Sequence, residues 1–449
     1  MLTRSSSLYQ KFIVNIKWNA LSATYYQTIL TLFMIWLFKV SSLTTYGLIG
    51  TIFAILYLLV EFLDLGFDGS LAIDFKLLSA SKLNFRKIFL SQQSGQLILL
   101  SLASLGIILG HKVINGWFMA KFSCCLIPPA VWLTLGLLLI FEGLLKDLRA
   151  LAQLFFLSKV LAITQILGIT IYTGIILLNY YFVNPKINFF DLNFNLIFAP
   201  LLLSSILSLI ILSWAIYQKY QKLPDQIITQ LSKSTIVNLN YLNFKILIMQ
   251  RFWIFLNQIS KLVFSSNFLI TLLAVLFGAA AIAPLKLISR ITVFFRYILY
   301  HGLGLPIRSL LSQTQAKISF RNYRTILAHS FYVLLGILVS TGILLIILTI
   351  SHAESLEILK RENSLIFLGI LLLDNLFLAH EQYLLVTNKI YFFAIPNLIT
   401  ISIIYVLTSN YHLTLNSLLL SLAILRILTF VLINFILLKK FVEKTPQSL

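Results

Sequence analysis

Long apolar runs separated by short polar segments set the pattern of this chain. Windows of about 20 residues, the length of a helix that crosses a bilayer, predict twelve spans. They lie at 18–38, 46–66, 88–110, 126–145, 153–178, 196–216, 247–276, 279–303, 327–350, 364–386, 391–409 and 415–438. The least marked boundary separates the seventh from the eighth, where Gly278 to Pro284 is the break in a long apolar stretch. Pro284 lacks a backbone donor and disfavours a helical residue before it.

The longest inner segment, 217–245, falls at the midpoint. Pro224 and Asp225 are suited to open a short helix there. Ile227, Ile228 and Leu231 would give it an apolar face beside lysines, as in a helix lying in the membrane interface. The expected organisation is a six-helix lobe over 1–216, a cytoplasmic linker over 217–245 and a second six-helix lobe over 246–449. Leu65-Gly66-Phe67 and Phe85-Arg86 in the first half have counterparts in Leu303-Gly304-Leu305 and Phe320-Arg321 in the second. A parallel duplication of this kind is a transporter architecture.

Composition agrees with the pattern. The 449 residues are 59% hydrophobic and 11% charged, outside the range of soluble globular domains. The class is all-α, a polytopic membrane protein of about twelve transmembrane helices. A net charge of +20 would suit nucleic acid, but the basic residues are scattered between spans rather than gathered into an arm. Lys39, Lys112, Lys121, Lys186, Lys360 and Arg361 fall on outer loops; Lys159, Arg251, Lys261, Lys286, Arg290, Arg296 and Arg426 fall inside spans; the rest of the 34 lie on the inner side. This bias places both termini in the cytoplasm. The first apolar run is too long for a signal peptide core and reads as a retained span. Cys124 and Cys125 are adjacent, so neither a disulfide framework nor a metal-binding spacing is available.

Catalytic signatures are sparse. No Gly-Lys-Ser/Thr phosphate loop occurs, and His380-Glu381 lacks the second histidine of a zinc helix. The outer loops are short for an active site. No enzymatic activity and no cofactor or metal are expected.

The informative stretch runs from Phe244 to Arg308. It is apolar enough for a membrane yet holds Arg251, Lys261, Lys286, Arg290 and Arg296. A cation at the centre of a bilayer helix costs about 2.5–3.5 kcal/mol even on the lenient scale, so this set must face water or an anion. At helical spacing Gln250, Asn257 and Lys261 share one face; Lys286, Arg290, Val293 and Tyr297 share another, with Arg296 to one side. A cationic cavity follows.

Other polar positions supplement it. Asn19, Ser22 and Tyr26 share a face of the first span, and Ser158, Gln165 and Tyr172 form a similar stripe in the fifth. Asp374 and Glu381, seven residues apart, could carry a coupling ion or pair with Arg426. Glu61, Asp64 and Glu142 read as interfacial. Gly106 and Gly110 form a GxxxG pattern suited to close helix packing.

Asn15 to Trp18, Tyr46-Gly47-Leu48, Asp64-Leu65-Gly66-Phe67 and Phe85-Arg86-Lys87, with the number and spacing of spans, resemble the polysaccharide flippases. These are the O-antigen and capsule repeat-unit translocases of the multidrug/oligosaccharidyl-lipid/polysaccharide exporter superfamily. The resemblance implies two six-helix lobes around a central cavity that opens alternately to either side of a bacterial inner membrane. It implies an undecaprenyl-diphosphate-linked oligosaccharide as substrate, with polysaccharide polymerase and chain-length machinery as further partners beside the membrane lipids. Lys261, Lys286, Arg290, Arg296, Asn257, Tyr297, Asn19 and Tyr26 are the expected substrate-binding residues, and Asp374 and Glu381 the expected coupling acids. A drug or metabolite antiporter of the same superfamily is the alternative; it would want an acidic or neutral cavity. A membrane glycan polymerase or ligase would want a long outer loop.

Overall fold

The structure is a computed structural model. It describes residues 2–67, 70–71, 82–122, 127–183, 194–222, 252–260, 265–278, 391–410 and 414–442, with isolated positions between 282 and 297, at 335 and between 366 and 384. Arg251, Lys261, Arg296, Asp374, Glu381, the Cys124-Cys125 pair and the linker helix expected after Pro224 lie outside the described residues.

Every regular element among the described residues is helical. Helix α1 is Leu2–Val40, α2 Leu43–Leu63, α3 Lys82–Leu109, α4 His111–Phe122, α5 Pro129–Leu154, α6 Ser158–Leu178 and α7 Asn195–Gln221. In the second half α8 is 252–260, α9 Ser266–Phe277, α10 Tyr391–Asn410 and α11 Leu415–Val442. At 1.5 Å per residue the 39 residues of α1 extend about 58 Å, well beyond a hydrocarbon core of about 30 Å. Segments of α1, α2, α3, α6, α7 and α11 are each long and apolar enough to cross a membrane. Leu97, Ile98, Leu102, Leu105 and Leu109 on α3 are exposed, a surface suited to lipid tails rather than water.

Helix α2 is interior. Tyr46 through Ala54 are buried without interruption, so it is covered on every face. Ser42 starts it in extended conformation, its hydroxyl accepting from the Thr45 amide at 3.1 Å. It packs on α9 of the second half and on α5 of the first. The first half is otherwise built from α5 against α7 and α3, and from α6 against α7 and α1.

Close approach between α3 and α5 comes from glycines of α5. A Cβ on Gly143 would lie 2.6 Å from Leu100 Cδ1, and one on Gly136 would lie 2.7 Å from Ser104 Oγ. The expected GxxxG contact is different: among the described residues nothing stands within 4 Å of a Cβ on Gly106, and Gly110 meets Gly106 of its own chain segment and Ile114.

The join of α5 and α6 is tight. Leu157 N donates to Ala152 O at 2.9 Å and Phe156 N to Gln153 O at 3.0 Å. This is the Schellman pattern, with Phe156 at φ 56° where glycine is usual.

Two windows and one loop change. The fourth span does not end at 145: α5 continues to Leu154 and carries Lys146 and Arg149, expected in a loop, as helical residues. The expected outer loop after Gly110 contains α4. The seventh window, 247–276, is divided at Ser265, which is extended (φ −69°, ψ 146°) and caps α9 by accepting from Phe268 N at 3.1 Å.

Candidate functional site

The site assembles where α1, α5 and α6 of the first half meet the 282–297 segment of the second. The described residues of that segment, Ile282, Ala283, Leu285, Lys286, Ser289, Arg290, Val293, Phe294 and Tyr297, are all helical. Lys286, Arg290 and Tyr297 therefore occur at i, i+4 and i+11, on one face.

Lys286 is only 6% exposed. Its stem lies along α2, where Gly50 makes room: a Cβ there would be 3.0 Å from Lys286 Cγ. Arg290 is half-buried, and its Nε is buried with no hydrogen-bond partner. Among the described residues no carboxylate pairs with either cation. Arg290 follows Lys286 by one helical turn on the same face.

Tyr26 and Tyr297 stack with ring centroids 5.5 Å apart and planes inclined by 22°. Gln165 Nε2 donates to Tyr297 Oη at 3.2 Å. Asn19 is 1% exposed and forms a reciprocal amide pair with Gln153, at 2.9 and 3.0 Å. Ser22 donates to the Asn19 carbonyl of its own helix. Asn257 on α8 is 1% exposed. The structure thus brings together Lys286, Arg290, Tyr297 and Tyr26, with Asn19 anchored nearby through Gln153. Lys159 points away from this group: it is exposed, with Nζ 5.8 Å from the Trp18 ring.

An additional part of the site comes from α5. Glu142, Lys146, Arg149 and Gln153 fall within about 60° on one helical face. Glu142 was expected at the interface; it is 5% exposed, accepts from Ser205 Oγ of α7 and lies 3.6 Å from Arg149. Gln153, on this same face of α5, pairs with Asn19, two turns before Tyr26 on α1, so this face of α5 adjoins the helix that carries the stacked tyrosine.

Glu61 is half-buried, whereas Asp64 is fully buried at the end of α2. Lys146 Nζ is 3.0 Å from Glu61 and 3.4 Å from Asp64. Arg426, 1% exposed, donates to Asn397 Oδ1 at 2.9 Å across α10 and α11. Among the described residues no group of three His, Cys, Asp or Glu is placed to hold a metal.

No protein-family model and no curated protein matches the sequence. Solved structures match its fold. The MATE multidrug transporter DinF-BH, solved in complex with a ligand, aligns with TM-score 0.61 and 14% identity, over 96% of this chain and 95% of its own. A point mutant of the Vibrio cholerae MATE transporter VcmN aligns with TM-score 0.56 and 13% identity, over 97% and 98%. An outward-facing multidrug resistance MATE family transporter of the MOP superfamily aligns with TM-score 0.53 and 14% identity, over 97% of each chain. The chain is a multi-pass helical membrane protein. Its fold, end to end, is that of the MATE transporters.

Proposed function

We propose that this protein moves an undecaprenyl-diphosphate-linked oligosaccharide, such as an O-antigen or capsule repeat unit, from the inner to the outer leaflet of a bacterial cytoplasmic membrane by alternating access. The observation that carries this reading is the pair Lys286 and Arg290. Both sit one turn apart inside an apolar segment, and neither is matched by a carboxylate among the described residues. Such a pair is stable at depth when an anion replaces its lost hydration. A diphosphate is a multivalent anion whose tail can remain in lipid. The headgroup would meet Lys286 and Arg290 from one half and Arg149 from the other, beside the amide and phenol groups of Gln165, Gln153, Tyr26 and Tyr297. Expected contributions from Lys261, Arg296 and Asn257, and ion coupling through Asp374 and Glu381, belong to the same proposal.

No covalent chemistry is required. With an inside-negative potential, outward movement of each negative charge gains about 2.3 kcal/mol per 100 mV. The potential can therefore supply part of the drive. Replacing Lys286 or Arg290 by Ala is expected to abolish surface polysaccharide while the protein still reaches the membrane. Normal polysaccharide from both variants would overturn the assignment.

A drug or metabolite antiporter fits the same fold. The observation favouring it is Glu142, a buried carboxylate on α5 that lies 3.6 Å from Arg149. A cationic cargo could compete with Arg149 for that carboxylate, so uptake of organic cations that survives Lys286→Ala and fails in Glu142→Gln would support it.

A further inference from the structure

The Asp64-Leu65-Gly66-Phe67 turn at the end of α2 touches both halves of the chain. Asp64 is fully buried, and one of its oxygens, Oδ2, receives two groups. Gln258 Nε2 of α8 donates to it at 2.9 Å, and Lys146 Nζ of α5 lies 3.4 Å away while also holding Glu61 at 3.0 Å. Beside it the backbone turns through two left-handed residues, Leu65 at φ 49° and Gly66 at φ 84°. A Cβ on Gly66 would stand 3.1 Å from Phe255 N and 3.3 Å from Ile254 Cγ2. The turn therefore lies directly on the backbone of α8, and the Phe62 and Phe255 rings flank it with centroids 6.4 Å apart.

We propose that Asp64 is the acid of a latch that closes the transport pathway at this end of α2. It ties α2 and α5 of the first half to α8 of the second, and opening to this side, the expected cytoplasmic side, separates Gln258 from Asp64. Three features converge on this. The carboxylate bridges two elements that alternating access must part. The glycine turn forms a close backbone seam in which any side chain would act as a wedge. Lys146 links the latch to the site, because it shares a face of α5 with Glu142 and Arg149. A shift of α5 on occupation of the site would move its ammonium relative to Asp64. The latch rests on the alternating-access reading above but not on the identity of the cargo.

The experiment reads accessibility. Cys124 and Cys125 are replaced by Ser, and Ser22→Cys, on the site face of α1, serves as the reporter. A membrane-impermeant thiol reagent is then applied from either side of oriented vesicles. Asp64→Asn and Gln258→Leu are each expected to raise labelling from the latch side about ten-fold or more and to lower it from the other side. That is the shift a two-state equilibrium shows on losing one hydrogen bond to a charged group. Equal labelling in parent and variants would overturn the proposal. In a second arm Phe62→Cys and Phe255→Cys are joined by a short cleavable bifunctional thiol reagent before the reporter is read. The expected result is labelling from the far side alone, reversed on cleavage; a cross-linked protein that still opens to the latch side would also overturn it. The expected labelling shifts in a protein that moves no glycan would uphold the latch and sink the cargo reading alone.

Discussion

Tyr26 of α1 and Tyr297 of the 282–297 segment stack with their ring centroids 5.5 Å apart. The first belongs to the first half of the chain and the second to the other, so this contact joins the two groups of charges described above. Gln165 of α6 donates to Tyr297 at 3.2 Å, and Asn19, two turns before Tyr26, pairs with Gln153 of α5.

Tyr297→Phe keeps the stack and removes the acceptor for Gln165. A neutral hydrogen bond of this kind contributes about 0.5–1.5 kcal/mol, so apparent affinity for cargo is expected to fall about two- to ten-fold. Tyr297→Ala, which also removes the ring, is expected to lose more. Titrating cargo binding in detergent for both variants checks the order, and equal affinities would detach the pair from the site.

Arg149→Ala leaves Glu142 buried beside Ser205 without its cation. Breaking a fully buried pair costs about 3–5 kcal/mol; because the Arg149 side chain is 34% exposed, a smaller loss of about 1–3 kcal/mol in unfolding stability is expected. Glu142→Gln in the same chain should restore most of that stability but not transport. Thermal unfolding and transport measured side by side separate these roles. Recovery of transport in the double variant would show that Arg149 serves only to neutralise Glu142.

Gly143→Ala forces a methyl group into the buried Leu100 side chain, and overpacking of this kind costs about 1–3 kcal/mol. Gly106→Ala places the same methyl in open space within a helix and should not destabilise, with a gain of up to about 1 kcal/mol from helix propensity. Parallel melting curves test this contrast. A larger loss at Gly106 would restore the GxxxG pattern as a packing contact.

Much of the framework was legible because membrane spans are marked by length and apolarity alone. Helices α1, α2, α3, α6, α7, α10 and α11 each contain or closely follow an apolar window read from the sequence. The α5 stripe is hidden from a hydropathy window, which closes at 145 where the charges of Lys146, Asp147 and Arg149 begin. Inside the bundle those charges are matched locally: Asp147 accepts from Gln93 of α3, Lys146 meets Glu61 and Asp64, and Arg149 meets Glu142. Hydropathy averages over such pairing, whereas the Glu-x3-Lys-x2-Arg-x3-Gln spacing from 142 to 153 was visible and marks a single helical face. Lys286 and Arg290 were readable for the opposite reason, since their segment is so apolar that any charge in it stands out. The Ser265 cap is hidden because Ser265-Ser266-Asn267 is too short a polar break to interrupt a 20-residue hydropathy average, although Ser-Ser-Asn before an apolar run is a helix-start signal. Asp64 was read as interfacial from its place at the end of a span. Its burial depends on α8, nearly two hundred residues further along, which no local pattern could supply.

The most direct test is flipping in proteoliposomes. Purified protein is reconstituted with a synthetic polyprenyl-diphosphate-linked glycan, and the fraction reaching the opposite leaflet is followed under an imposed potential. The expected result is translocation that depends on the protein, is lost with Lys286→Ala and Arg290→Ala, and is not inhibited by organic cations. Translocation that is absent, or that persists undiminished in both variants, would contradict a pathway built around these two cations.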